Sequence, residues 1–287
     1  MSTSILYDIP GPRTRLRNNV YALLGAIGLI VIAYFVYSKF DQAGQWSAKL
    51  WTPFIDPQVW TGQILPGLAG TLSAALVAAI LSLLFGVVFG LGRLSEHRWL
   101  RLPSATIVEF FRSIPVLMMI FFAQAGAFDL FGYTMSAFTA VVIGLTLYNG
   151  SVLAEVFRAG ITSIPRGQAE AAYAIGLRKS GVIRLILLPQ AVTAMMPAIV
   201  SQMVVVLKDT ALGYIIAYEE LLNTGFRQLP ATFANIVPAA IVIAAIYILI
   251  NLGLGQVAHW LERRSRRSRL KAPRTSTRST IPQGTVT

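Results

Sequence analysis

The chain has 287 residues, 55% of them hydrophobic and only 13% charged, with 24 Lys and Arg against 12 Asp and Glu. A soluble chain carries about 25% charged residues, and this one holds more apolar side chain than a single globular core would bury, so lipid is the expected solvent. The lack of cysteine excludes disulfides, thiol nucleophiles and thiolate metal sites, and two histidines, His97 and His259, cannot build a His-based metal cluster.

Six segments approach the roughly 20 apolar residues needed to cross hydrocarbon: Val20–Ser38, Pro66–Leu91, Ser104–Ala123, Tyr133–Leu153, Leu185–Leu207 and Ile236–Ala258. Unpaired peptide groups are not tolerated in lipid, and none of these segments alternates apolar and polar residues as barrel strands do, so each is read as a helix. The expected fold class is an all-α polytopic membrane protein with about six transmembrane helices.

The first span follows Arg13, Arg15 and Arg17, a flank that also suits a signal peptide. Its apolar run is longer than a signal core, and Val36-Tyr37-Ser38-Lys39-Phe40 offers no small-x-small cleavage site, which favours an uncleaved anchor. In the second span Gly86, Gly90 and Gly92 form a small-residue face of the kind that lets membrane helices approach closely. In the third, Glu109 and Arg112 stand one helical turn apart and can neutralise each other. They are either part of a substrate pathway, together with Pro115, or an interfacial pair that fixes the depth of the helix.

Between the fourth and fifth spans lies a polar island, 160–189. Its core reads Ile164-Pro165-Arg166-Gly167-Gln168-Ala169-Glu170-Ala171-Ala172-Tyr173-Ala174-Ile175-Gly176. Ser163 is a candidate cap, Pro165 suits a first turn, and Gly176 a terminus, so a short helix is expected, followed by a second helix from about Ser180. Its alanines leave room for a close partner around Glu170, as in helix-in-groove recognition. A lipid-surface helix would instead carry bulky apolar and basic faces.

The fifth apolar run is too long for one straight crossing and is interrupted by Lys208-Asp209-Thr210. Either the helix ends there or it breaks to line a pathway, in which case Lys208 suits a substrate carboxylate. The sixth span is followed by Arg263-Arg264-Ser265-Arg266-Arg267; directly after a span, such a run reads as a topology anchor rather than a nucleic-acid site. Residues after about Leu270 read as disordered.

With both termini inside, 19 of the 24 basic residues fall on the cytoplasmic side, against Lys39, Lys49, Lys208 and Arg227 outside. That asymmetry predicts N-in, C-in. No phosphate-cradling loop is present; Gly176-Leu177-Arg178-Lys179-Ser180 lacks the spacing. Any ATP is therefore hydrolysed on another chain.

The island resembles the EAA loop of ABC-importer permeases. The string 149–161, from Asn149-Gly150-Ser151 through Arg158-Ala159-Gly160-Ile161, with Leu188-Pro189-Gln190-Ala191, is similar to the branch that serves histidine, glutamate, glutamine, arginine and opines. Gly70-Thr71-Leu72, Phe110-Phe111-Arg112-Ser113-Ile114-Pro115 and Leu207-Lys208-Asp209-Thr210-Ala211-Leu212 extend the likeness over about 150 residues. The resemblance implies a type I importer permease fold with a cytoplasmic coupling helix, and a plasma-membrane location.

It further implies a P-loop ATPase dimer carrying ATP and Mg, a second, related permease subunit and an extracytoplasmic substrate-binding protein, with no cofactor on this chain. The implied ATPase-coupling positions are Pro165, Gly167, Glu170, Ala171, Ala172, Gly176, Leu188 and Pro189, and the substrate pathway includes Glu109, Arg112, Pro115, Lys208, Asp209 and Thr210. The chain would then divide into a cytoplasmic arm (1–19), an extra anchor helix with an external loop (20–65), a permease core (66–258) with its coupling loop at 155–185, and a basic tail (259–287). The extra span and tail are similar to those of actinobacterial glutamate-uptake permeases, so glutamate is the leading substrate. The rival class is a secondary transporter or channel for small polar solutes; no inverted repeat supports it, and scattered acids and unsuitable histidines argue against a membrane enzyme.

Overall fold

The computed structural model describes residues 11–270. Its long helices are α1 (Pro12–Gln42), α2 (Leu65–Arg93), α3 (Arg98–Ser113), α4 (Val116–Phe131), α5 (Ala137–Thr162), α6 (Arg166–Ala174), α7 (Leu188–Asp209) and α8 (Ile236–Leu270), with short helical turns between them and no strand among the described residues. Five helical stretches are long and apolar enough to cross a membrane, or six if the bent α3–α4 pair is one span. The sequence-predicted tail beyond Leu270 lies outside the described residues, as does the arm before Gly11; α8 continues as helix through Arg263–Arg267.

Inside lipid the hydrophobic effect does not draw helices together, so close packing must do so. The longest contact runs between α2 and α5. A Cβ placed on Gly90 would lie 2.9 Å from the Ala154 carbonyl oxygen, and one on Gly86 would lie 2.7 Å from Leu153 Cβ. Gly92 instead faces Ser104 of α3. Around this seam Ala74, Ala78, Ile120, Val141, Leu145 and Val206 bring α2, α4, α5 and α7 into one core.

The expected single span Ser104–Ala123 is not a straight helix. The chain turns by 99° between α3 and α4. Pro115 forces this: the residue before it, Ile114, is extended (φ −96°, ψ 129°), as the proline ring requires of its predecessor. α4 then runs to Phe131 and ends at Gly132, whose φ of +64° only glycine adopts freely. The fourth span accordingly starts at Ala137, where Ser136 Oγ accepts from Thr139 N at 3.1 Å. It ends at Thr162 rather than Leu153.

The fifth run is helical from Lys179 to Ile216. At Thr210 it tightens from α to 3₁₀ geometry, and it stops at Ala217, a left-handed residue with φ 58°. The α-helix thus ends at Asp209, while the run continues without a sharp break as 3₁₀ helix to Ile216.

α1 buries none of its residues. Its attachment is aromatic: Trp46 stacks on Tyr37 with centroids 5.4 Å apart and donates its indole N–H to the Tyr37 carbonyl at 3.3 Å. Trp51 continues the stack, and Asn235 Nδ2 donates to the Leu50 carbonyl at 3.3 Å, which ties the linker to the start of α8.

Candidate functional site

One end of the bundle carries α6. Ser163 does not cap it, because its hydroxyl donates back to the Gly160 carbonyl at 2.8 Å; Pro165 occupies the cap position and no side chain caps the helix. The C-terminus follows expectation: Gly176 has φ +83° and donates to the Tyr173 carbonyl, while Leu177 N reaches the Ala172 carbonyl at 3.2 Å. Such a closure satisfies the last carbonyls of the helix.

All of α6 except Ala169 and Ala172 is exposed. Arg166, Gly167, Glu170, Ala171 and Ala174 are exposed and recur at the spacing of one helical stripe. Ala172 is only 4% exposed and belongs to the face turned toward the wide helical turn at Val182–Leu187. Pro165, Gly176, Leu188 and Pro189 are exposed around the helix. Of the eight candidate coupling residues, seven therefore offer surface, and Ala172 seats the helix on the bundle.

Near the same end five charges meet. Arg93 of α2 reaches Glu109 of α3 at 2.9 Å and Glu155 of α5 at 3.3 Å, Arg112 lies 3.7 Å from Glu109, and Arg158 makes a two-nitrogen contact with Glu155. The candidate pair Glu109–Arg112 thus belongs to a network of three cations and two carboxylates that joins three helices. Arg93 is the most enclosed, its side chain 12% exposed. Ions so placed are costly unless paired.

Lys208, Asp209 and Thr210 sit elsewhere. They close α7, whose 22 residues span about 30 Å at 1.5 Å per residue, so the two halves of the candidate pathway are not brought together. Thr210 is buried and donates to the Leu207 carbonyl at 2.7 Å, an internal role. Lys208 is exposed and lines a cavity of about 780 Å³ between α7 and α8, with Tyr247 and Asn251 as its other polar side chains and Val204, Phe226 and Ile243 among its apolar ones. A largely apolar cleft of this size with few polar groups suits a small ligand.

Sequence reasoning missed Glu220. Its side chain is fully buried, and its carboxylate accepts from Leu222 N at 2.7 Å, Asn223 N at 2.8 Å and Tyr247 Oη at 2.8 Å. Burial pushes its pKa above the ordinary carboxylate value, opposed by these three donors. The next residue, Leu221, donates its N–H to Thr71 Oγ1 at 3.1 Å, and Tyr218 Oη donates to the Gly70 carbonyl at 2.8 Å. The turn 217–224 is thereby fastened to both α2 and α8. Nothing in Tyr218-Glu219-Glu220 separates this glutamate from its exposed neighbour Glu219, because glutamate is not a favoured cap residue. A second missed contact crosses α5 and α7, where Gln202 Nε2 donates to Asn149 Oδ1 at 2.6 Å.

A bundle of apolar helices fastened through glycine seams, with an exposed polar helix at one end and a lysine-lined cleft near the other, is the build of a multi-pass membrane protein. Residues 82–267 match the family described as the inner membrane component of binding-protein-dependent transport systems, and the chain belongs to that family. It is 48% identical over 230 residues, 79% of its length, to the glutamate transport system permease protein GluD of Corynebacterium glutamicum, covering 84% of that protein. It is 34% identical over 198 residues to the probable glutamine ABC transporter permease GlnP of Bacillus subtilis, covering 68% of this chain and 90% of that one.

Among solved structures, a crystal structure of an amino acid ABC transporter with histidines aligns with a TM-score of 0.68 at 28% identity, over 71% of this chain and 95% of that one. The MetNI methionine ABC transporter in an inward-facing conformation aligns at 0.58 and 17% identity, over 73% and 97%, a likeness of fold.

Proposed function

We propose that this chain is a permease subunit of an ATP-driven amino acid importer, that glutamate is its substrate, and that α6 receives the stroke of a separate ATPase. The observation that carries the coupling role is the stripe Arg166, Gly167, Glu170, Ala171 and Ala174. It is exposed, small except at two charged positions, and backed by a buried Ala172 that holds the helix to the entry of α7. A partner backbone can approach such a face closely, and a partner cation meets Glu170.

The glutamate assignment draws on the 48% identity to a glutamate permease. It is also supported by Lys208, a cation that faces a cleft of about 780 Å³. The excess of basic residues at the α6 end and in the two termini supports a cytoplasmic position for that end and for both termini. A binding protein and a second permease would then meet the opposite end and flank of the bundle. ATP and Mg belong to the ATPase, and this chain supplies the pathway and the docking helix.

The test is affinity purification of the chain from its native membrane in mild detergent beside Glu170→Arg, with mass spectrometry of what accompanies each. The wild type should bring down a P-loop ATPase and a second permease, and the variant should lose the ATPase while keeping the permease. Absence of an ATPase from the wild type after cross-linking overturns the reading.

A further inference from the structure

We propose that the chain binds the phosphate headgroup of one anionic phospholipid between the α2–α3 turn and the entry to α7. A cavity of about 800 Å³ lies there, lined on its apolar side by Val88, Leu91, Ile161 and Leu187 and on its polar side by Lys179, Ser180 and Arg184. Among the described residues, the one carboxylate in its lining, Glu96, is already ion-paired with Lys179. Arg184 is exposed and has no carboxylate partner among the described residues. An anion that enters therefore meets uncompensated positive charge.

The height of the cavity selects a lipid. Arg93 closes the second membrane-length helix and Lys179 opens the fourth, so the cavity sits where the apolar stretches begin and end. His97 lines it, and the indole of Trp99, 73% exposed, stands edge-on to that imidazole at 6.1 Å. Exposed tryptophan at a helix end marks the headgroup level. A soluble phosphate would satisfy Arg184 and leave the apolar wall wet, whereas an acyl chain covers that wall while the phosphate meets the cation. A choline headgroup would set its own positive charge against Arg184, the cation left uncompensated, which favours an anionic lipid.

Tyr173 of α6 lines the same cavity. Lipid bound there touches the docking helix through Tyr173, which is 48% exposed and stands one helical turn after Glu170. The inference relies on the orientation proposed above only for which leaflet supplies the lipid.

Native mass spectrometry of the full chain in mild detergent tests this, with phosphatidylglycerol, phosphatidylcholine and glycerol 3-phosphate offered separately, with and without the co-purified ATPase. The wild type should retain phosphatidylglycerol in preference to phosphatidylcholine and should not retain glycerol 3-phosphate. Arg184→Gln should lower retention about fivefold, the effect of about 1 kcal/mol per cation near a membrane surface. Leu91→Trp, which fills the apolar side and leaves every cation in place, should lower it as well. Wild-type retention by both variants overturns the site. Equal retention of glycerol 3-phosphate assigns it to a soluble phosphate, and loss of lipid when the ATPase joins assigns it to a protein contact; either result overturns the lipid assignment. The arms without the ATPase need neither transport nor a partner, so they stand or fall apart from the importer reading.

Discussion

Tyr247 Oη donates to Glu220 Oε2 at 2.8 Å, a bond across 27 residues that fastens α8 to a turn already held by α2. The same tyrosine lines the cleft that Lys208 faces. The position of the cleft wall therefore depends on a carboxylate that takes no part in lining it.

Removing the buried acceptor should cost more than removing one donor. Glu220→Ala leaves two backbone N–H groups and the phenol of Tyr247 unpaired, whereas Tyr247→Phe leaves a carboxylate still held by two donors. A buried unsatisfied polar group costs about 1–3 kcal/mol. The thermal-inactivation half-life in detergent should fall in the order wild type, Tyr247→Phe, Glu220→Ala.

The same carboxylate gives a pH signature. Because burial raises its folded-state pKa above the unfolded value, the folded protein takes up this proton first as pH falls. Its contribution to stability is full below the unfolded value of about 4.3 and is lost as pH rises through the folded value. The stability difference between wild type and Glu220→Gln should thus shift against the wild type as pH rises, measured as inactivation rate from pH 4 to 8.

The helical seam predicts a sharp contrast between glycines. Gly90→Leu drives side chain into the Ala154 backbone and should abolish accumulation of folded protein, while Gly28→Leu on α1 meets nothing within 4 Å and should be silent. Detergent size-exclusion profiles of the two variants check this.

At the α6 end, Glu155→Gln strips the carboxylate shared by Arg93, Arg112 and Arg158. Removing one partner of a fully buried pair costs about 3–5 kcal/mol; with these side chains 12–37% exposed, about 1–2 kcal/mol is expected after solvent screening. Glu109→Gln, whose side chain is 57% exposed, should cost less. Urea or heat inactivation series on both variants measure the difference.

Much of this was legible in the chain. Span content follows from apolar run length, and the short helix at Arg166–Ala174 follows from Pro165, the alanines and Gly176, because each acts over one or two turns. The small-residue face of α2 showed in its glycines, though not which helix it would meet. What sequence could not give was long-range geometry. Pro115 itself marks a kink or a helix start, but the 99° size of the turn is not legible, because its apolar flanks join into one apparent span. Glu220 was hidden because its partners, Thr71 through Leu221 and Tyr247 directly, lie 149 and 27 positions away, and only the packed bundle brings them together. Ser163 was misread because a hydroxyl in the last turn of a helix bonds its own preceding carbonyl as readily as the next helix.

The central claim is ATP-driven import of an acidic amino acid through this chain. The most direct measurement is accumulation of labelled glutamate in proteoliposomes containing this permease with its co-purified ATPase, permease partner and binding protein, with ATP supplied on the ATPase side. The account predicts uptake that needs ATP, that is abolished by Glu170→Arg, and that unlabelled glutamate competes more strongly than glutamine. Uptake by the chain alone, driven by an ion gradient and indifferent to ATP and to Glu170→Arg, would contradict it.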